Sequence, residues 1–233
     1  MNKEEFIKEL KNINIELTDT QLIQLDKYYH ILLEENKKYN LTAITEEKEV
    51  YLKHFYDSIT LTKIIELKEQ YLLDIGTGAG FPGLVLKIVF PNLKIDLLDS
   101  TNKKCLFLQQ VIDTLELKNI NVLNKRAEDY AKEEKELYDI VTSRAVAPLK
   151  HLLEYSTPLL KINGNFIALK SNITEEIKNI QNYYNKLHLK DEIILEFELP
   201  KENSKRTLYK VTKIAKTPLI YPRQYSQIKK KDI

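Results

Sequence analysis

Four of the five glycines in this 233-residue chain fall within eight positions, at Gly76, Gly78, Gly80 and Gly83. The apolar run Tyr71-Leu72-Leu73 and an acid, Asp74, precede them, and Phe81-Pro82 stand inside the cluster. Glycine tolerates positive φ and lets a ligand come close to the main chain. A strand, a glycine loop and a helix N-terminus form the arrangement in which α/β folds hold a nucleotide-like cofactor on backbone N–H groups and the helix dipole. Asp99 closes the next apolar run, about 20 residues beyond the loop, where an acid can accept both hydroxyls of a ribose. Arg126-Ala127-Glu128-Asp129 follows a third run and Ser143-Arg144-Ala145 ends a fourth. Strand ends at the switch point of an open sheet border the ligand crevice, so Ala127, Glu128 and Arg144 join the candidate site.

The loop reads in two frames. Gly78 to Gly83 fits the dinucleotide pattern GxGxxG, but two residues later than a dinucleotide loop follows its strand. The frame Asp74-x-Gly76-x-Gly78-x-Gly80 instead resembles the first motif of class I S-adenosylmethionine methyltransferases, in which the strand-end acid orients the loop and meets the positively charged methionine end of the cofactor. A pyrophosphate would be repelled by an acid there, which favours the second frame. Asp99 serves the ribose of either cofactor. Ser100 and Thr101 are placed to join it, although their side chains are better read as caps for the helix that follows. Other chemistries lack their groups. Cys105 lies on the apolar stripe of a helix with Leu108, Ile112 and Leu115 and reads as a buried small hydrophobe rather than a nucleophile. His30, His54, His151 and His188 are scattered without triad or metal spacing. No catalytic acid, base or nucleophile is therefore assigned, and no metal; Arg144 is the only candidate contributor to the chemical step.

The elements that must position these residues fall into two blocks. Residues 1–66 read as helices, one from Thr20 to Lys38 with Leu22, Leu25, Tyr29, Leu32 and Leu33 on its apolar face and Thr18 or Asp19 as cap, another from Glu46 to Ile65. From Tyr71 the pattern alternates. Strands are predicted at 71–75, 94–98, 120–124, 138–142 and 165–169, and helices at 82–90, 102–117, 148–160 and 173–188. Alternation of this kind implies a parallel sheet covered on both faces. Residues 192–199 and 206–214 read as two strands with no helix between them, an antiparallel hairpin at the sheet's end. The expected organisation is a helical extension (1–66), an α/β domain (67–216) and a basic tail (217–233).

Composition narrows the setting. A 43% hydrophobic, 30% charged chain with one cysteine is that of a globular protein without a disulfide framework or a multi-cysteine zinc site, as in a reducing cytoplasm. The N-terminus has no signal-peptide core, and no apolar run approaches the roughly 18 residues of a membrane span. The net charge of +2 hides an asymmetry: residues 201–233 hold ten Lys/Arg against two acids. A basic end on an acidic body suggests a polyanionic partner. Only four of the 36 basic residues are arginine (Arg126, Arg144, Arg206, Arg223), so these positions are candidates for a need for its planar fork. On residues alone, three readings stay open: a methyltransferase, an NAD-dependent oxidoreductase, and a noncatalytic RNA- or ribosome-binding protein on the same fold.

Nearly the whole chain resembles the bacterial 16S rRNA guanine-N7 methyltransferases, the glucose-inhibited division protein B family. The resemblance is carried by Asn40-Leu41-Thr42, His54-x-x-Asp57-Ser58, Asp74 through Gly83, Leu97-Leu98-Asp99-Ser100, Phe107-Leu108, Arg126-Ala127-Glu128, Ser143-Arg144-Ala145 and Tyr221-Pro222-Arg223. Its most specific parts are Gly80-Phe81-Pro82-Gly83 and Ser143-Arg144-Ala145. It implies a class I methyltransferase fold, Rossmann-like and mostly parallel, with seven strands, a terminal antiparallel hairpin and an N-terminal helical extension. It implies methyl transfer from S-adenosylmethionine to N7 of a guanosine in the decoding region of 16S ribosomal RNA, with Gly76, Phe81, Asp99 to Thr101, Ala127, Glu128 and Arg144 at the cofactor. The RNA, free or in the small subunit, would meet Lys170, Arg206, Arg223 and the lysines Lys229, Lys230 and Lys231, with the enzyme a monomer. The chain departs from the family pattern at Cys105, where arginine is usual, and at Ser171, where glycine is usual.

Overall fold

The computed structural model describes residues 1–178 and 180–233. Seven strands form one sheet in the order β3-β2-β1-β4-β5-β7-β6. They are β1 (Tyr71–Ile75), β2 (Lys94–Leu98), β3 (Ile120–Leu123), β4 (Tyr138–Arg144), β5 (Leu160–Lys170), β6 (Leu189–Glu198) and β7 (Lys205–Lys213). The first five run parallel, and β7 enters antiparallel between β5 and β6. Chain direction reverses outward from β1 to β2 on one side and to β4 on the other, so the crevice opens at the carboxyl ends of β1, β2 and β4, where Gly76, Asp99 and Arg144 stand.

Helices α1 (Lys3–Asn12) and α2 (Asp19–Tyr39) each start on a capping box, Asn2 with Glu5 and Thr18 with Gln21. Of the apolar face expected for α2, Leu25, Tyr29 and Leu32 are buried and Leu22 and Leu33 half-buried, and Tyr28, outside that expectation, is buried too. The predicted helix from Glu46 to Ile65 is one continuous rod of changing pitch: α3 (Glu47–Glu49), a π-helical stretch Val50–Tyr56, α4 (Asp57–Ile59) and a 3-10 turn Thr60–Lys63. Val50, Tyr51, Leu52, His54, Phe55 and Tyr56 are all buried, so this rod is enclosed rather than amphipathic. These helices join α5 (Gly83–Val89) and α6 (Asn102–Thr114) in a single apolar core on one face of the sheet; Tyr28 lies 5.5 Å from both the Phe55 and Phe81 rings. The other face is covered by α7 (Ala127–Glu133), α8 (Leu149–Ser156), α9 (Gln181–Leu187) and the end of the chain, where Tyr221, Ile228 and Ile233 are buried around α10 (Tyr225–Lys230).

Three expected helices end differently. The helix predicted over 148–160 stops at Ser156, because Pro158 has no N–H for a further turn; a 3-10 turn follows and Leu160 already belongs to β5. The helix predicted over 102–117 ends at Thr114, with Glu116 in the left-handed region (φ 52°). Of the segment 173–188, only Gln181–Leu187 is helical, and position 179 lies outside the described residues. Glu176 there turns back to bond the Leu149 N–H and Lys170. Among the described residues no helix is long and apolar enough to cross a membrane, and no group of His, Cys, Asp and Glu is arranged to hold a metal ion.

Candidate active site

Asp99 anchors the crevice. Its Oδ2 accepts the Gly78 N–H at 3.0 Å and its Oδ1 the Thr101 N–H at 2.9 Å. One acid thus ties the glycine loop to the start of α6 and keeps further lone pairs on both oxygens for a ligand. Lys104 Nζ approaches to 3.6 Å. Thr101 occupies the N-cap position of α6 but, against the sequence expectation, neither its hydroxyl nor another side chain caps the helix; its N–H goes to the Asp99 carboxylate.

Gly76, Asp99, Ser100, Thr101, Ala127, Glu128 and Arg144 line one cavity of about 410 Å³. Gly76 has φ 67° and lies directly beneath Val146, so a Cβ there would sit 2.5 Å from Val146 Cγ2. Glu128, in the first turn of α7, accepts from Arg126 Nε at 2.6 Å with Oε1. The lining also takes in residues outside the sequence expectation, among them Lys104, Lys125, Val146, Tyr155 of α8 and Tyr225 of α10. Arg126 stacks on the Tyr225 ring at 5.0 Å, so the C-terminal segment closes one side. Only the single basic-aromatic pairing of Arg126 with a tyrosine 99 positions away would signal this, and sequence spacing does not reveal such pairs.

Asp74, Gly78 and Phe81 stand behind that wall. The Asp74 carboxylate points to the start of α5 and accepts the Gly83 N–H at 2.8 Å, which the absence of a Cβ at Gly83 allows: one would lie 2.9 Å from Asp74 Oδ2. Burial pushes its pKa up to about 6. Its Oδ1 and the Thr77 hydroxyl are both buried; Thr77 comes close enough to favour the charge without making a well-formed hydrogen bond. The carboxylate therefore bonds the start of α5 and faces that helix rather than the cavity. Phe81 is buried under the His54 ring (4.3 Å between centroids) and the Arg144 guanidinium (5.1 Å).

Arg144 and Ala145 are shared with a second cavity, of about 340 Å³, lined also by Lys53, His54, Asp57, Lys170 and Arg206. Here the Asp57 carboxylate receives Arg206 Nε at 3.1 Å and Arg144 Nη1 at 3.4 Å. Burial raises the Asp57 pKa, while the two guanidiniums work against that shift. Lys170 Nζ bonds the Ala147 carbonyl at 2.7 Å and Glu176 at 2.8 Å. Arg223 is elsewhere: its N–H, Nε and Nη2 all go to the fully buried Glu154, at 3.0, 2.8 and 2.7 Å. Lys229, Lys230 and Lys231 are exposed on and just after α10. Cys105 is buried, its Sγ 3.3 Å from the Asp99 carbonyl, with its pKa raised by burial.

The first cavity suits S-adenosylmethionine by its own chemistry. An acid with free lone pairs could hold a ribose, Glu128 could accept from an amine edge, Tyr155 and Tyr225 offer apolar faces, and the volume lies in the usual range of about 300–1,000 Å³. A profile of the family described as "GidB: rRNA small subunit methyltransferase G" matches residues 21–208. A protein named ribosomal RNA small subunit methyltransferase G from Acetivibrio thermocellus is 46% identical over 220 residues, covering 94% of this chain and 91% of that one. Its namesake from Leuconostoc citreum is 42% identical over the full length of both. In three dimensions the chain resembles M. jannaschii TYW2 solved in complex with AdoMet (TM-score 0.54, 16% identity, 68% of this chain and 77% of that one). The seven-stranded sheet is accordingly that of the S-adenosylmethionine-dependent methyltransferases, and the chain belongs to the rRNA small subunit methyltransferase G family.

Proposed function

We propose that this enzyme methylates N7 of a guanosine in the decoding region of 16S ribosomal RNA, in the cytoplasm and as a monomer, by alignment rather than acid–base catalysis. One observation carries the reading: two cavities meet at a shared wall, Arg144 and Ala145. The first has Asp99 and Glu128 for the ribose and amine of the cofactor, beside Lys104, Lys125 and Arg126 for its carboxylate; the second has Lys53, Lys170 and Arg206 against the single carboxylate of Asp57, for an acceptor-rich substrate. S-adenosylmethionine supplies a methyl carbon on a sulfonium, a leaving group that departs as a neutral thioether. Guanine N7 presents an in-plane lone pair, so the N–C bond forms as the C–S bond breaks and no proton has to leave first.

That chemistry matches what the second cavity lacks. His54 is held neutral, its pKa driven down to about 3 by burial and by Arg144, and both ring nitrogens are occupied. It is no base for a proton on the substrate. Arginine or lysine donors read the O6 edge of guanine, as they do in nucleic-acid recognition generally. Gly76, Ser100, Thr101 and Ala127 hold the cofactor through backbone and small side chains, leaving orientation as the main source of rate. Asp74, Gly78 and Phe81 act from behind, by fixing the loop.

The test uses small subunits from cells lacking the protein, the purified enzyme and S-adenosylmethionine. Nuclease digestion and mass spectrometry are expected to return 7-methylguanosine from the decoding region. A methyl group on another base, or on an exocyclic amine, overturns the reading.

A further inference from the structure

The Asn40-Leu41-Thr42 motif and the histidine of His54-x-x-Asp57 lie outside the lining of the first cavity, and both converge on Arg144. Arg144 Nη1 donates to the Lys53 carbonyl at 3.0 Å and to Asp57 at 3.4 Å. Its Nη2 meets only His54 Nδ1, at 3.2 Å, among the described residues. On the other side of the imidazole, Nε2 lies 2.9 Å from the Thr42 hydroxyl oxygen. That oxygen also accepts the Ile44 N–H at 3.0 Å, and the Thr42 N–H donates to Asn36 Oδ1 at 2.9 Å, in the last turn of α2. The imidazole lies flat on the Phe81 ring, with 19° between the planes.

Nδ1 lies 3.2 Å from both Nη2 and the Lys53 carbonyl oxygen. A carbonyl accepts and a guanidinium only donates, so the two contacts ask for opposite tautomers of the neutral ring. The Lys53 carbonyl is already served by Nη1 at 3.0 Å, whereas Nη2 has no other acceptor among the described residues, so the arrangement that satisfies both puts a bare lone pair on Nδ1 and the hydrogen on Nε2, toward Thr42. The Lys53 carbonyl and the His54 ring reach the one guanidinium from within the π-helical stretch, and such stretches recur at functional sites.

We propose that His54 is a positioning residue for methyl transfer: locked by the Thr42 hydroxyl and the Phe81 ring, its Nδ1 fixes the Arg144 guanidinium in the wall between the two cavities. Bonds at Nη1 alone leave the guanidinium free to swing about that nitrogen; the bond at Nη2 sets its plane. The N-terminal helices thereby supply part of the active-site geometry, through residues that touch neither cofactor nor reacting atoms. The inference rests on the assignment of the two cavities above.

Three variants and one spectrum test it. His54→Phe keeps the stack on Phe81 and removes both nitrogens. The single-turnover rate of methyl transfer is expected to fall roughly 10- to 100-fold, the worth of a lost charged hydrogen bond and a misaligned group, with S-adenosylmethionine affinity within about threefold of the parent. His54→Asn returns an acceptor near the Nδ1 position and is expected to recover most of the rate despite losing the stack. Thr42→Val should lie between the two. Long-range ¹H–¹⁵N spectra of the unaltered protein should show the His54 hydrogen on Nε2. A parent-like rate in His54→Phe overturns the proposal. So does equal slowing of the Phe and Asn variants in step with lost thermal stability, or a hydrogen on Nδ1. Absence of methyl transfer by the parent enzyme itself sinks the assignment of the reaction instead, and the spectrum then still tests the His54–Arg144 bond on its own.

Discussion

Asp74 heads the glycine loop, and its burial sets the cost of its charge. The carboxyl is fully buried, and burial raises its pKa from 3.8 to about 6, while the Gly83 N–H and Arg144 only partly offset that. A carboxyl whose folded pKa is raised holds its proton better in the folded than in the unfolded chain. Stability is therefore undiminished below about pH 4, falls as pH rises from 3.8 to 6, and stays lower by the full amount above that. At 1.36 kcal/mol per pKa unit the full amount is about 3 kcal/mol. Asp74→Asn keeps an oxygen for the Gly83 N–H and removes the charge. Its amide N–H₂ also takes the place of Oδ1, which has no partner among the described residues, beside a Thr77 hydroxyl that also has none. The variant should be more stable than the parent by about 1–3 kcal/mol at pH 7.5, several degrees in Tm, and by about a third of that at pH 4.5. Urea unfolding at the two pH values measures both. An Asn variant less stable at pH 7.5 refutes the argument, because it would mean that the dipole of α5 outweighs desolvation. Calorimetry completes the test: the carboxylate faces away from the cavity, so S-adenosylmethionine affinity should stay within about threefold. A tenfold weakening would show that the acid reaches the cofactor after all.

The C-terminal segment supports three more measurements. Arg223→Ala leaves the fully buried Glu154 with only the backbone N–H of its three bonds and no counter-charge, and should cost about 3–5 kcal/mol in urea unfolding; a loss under about 1 kcal/mol would mean that the pair is no clamp. Tyr225→Ala opens one side of the first cavity and should weaken S-adenosylmethionine binding roughly tenfold by calorimetry, the contribution of about one stacked aromatic contact. No change would place the ring outside the bound cofactor's reach. Reversing Lys229, Lys230 and Lys231 to glutamate should weaken RNA binding and flatten the slope of log K against log salt by about two to three; an unchanged slope would put α10 away from the RNA.

Much of the fold is legible in the sequence because the parallel core has strong local signals. The apolar runs that become β1 and β2 are bounded by a glycine loop and an acid, and the strands match 71–75 and 94–98 to the residue. The carboxyl-end rule then places Asp99 and Arg144 on one crevice without knowledge of any contact. What is not legible depends on partners distant in sequence. His54 reads as one of four scattered histidines, since its partner Arg144 is 90 residues away. Tyr155 and Tyr225 belong to α8 and to the tail, and neither local period nor charge marks them as cavity walls. At Pro158 two local signals conflict: the apolar period runs on through it, and the missing N–H decides where the helix stops.

The scarcity of arginine is a hint whose meaning needs the partners. In a chain that otherwise uses lysine, each of the four arginines is paired to a buried carboxylate: Arg126 to Glu128, Arg144 and Arg206 to Asp57, Arg223 to Glu154. A desolvated carboxylate needs donors on more than one oxygen in fixed directions, which a guanidinium supplies and a single ammonium does not. Three of the pairs cross between segments that the sequence separates. Asp57 of the N-terminal rod is held by β4 and β7, and Glu154 of α8 holds the tail. The helical extension and the basic end are therefore bound to the sheet through the same charges that border the second cavity or secure the wall of the first. Deleting residues 224–233 would remove Tyr225 along with the lysines and expose the surfaces that Ile228 and Ile233 cover. A loss of RNA affinity after such a deletion would not isolate the tail's charge, whereas the triple reversal at Lys229, Lys230 and Lys231 does.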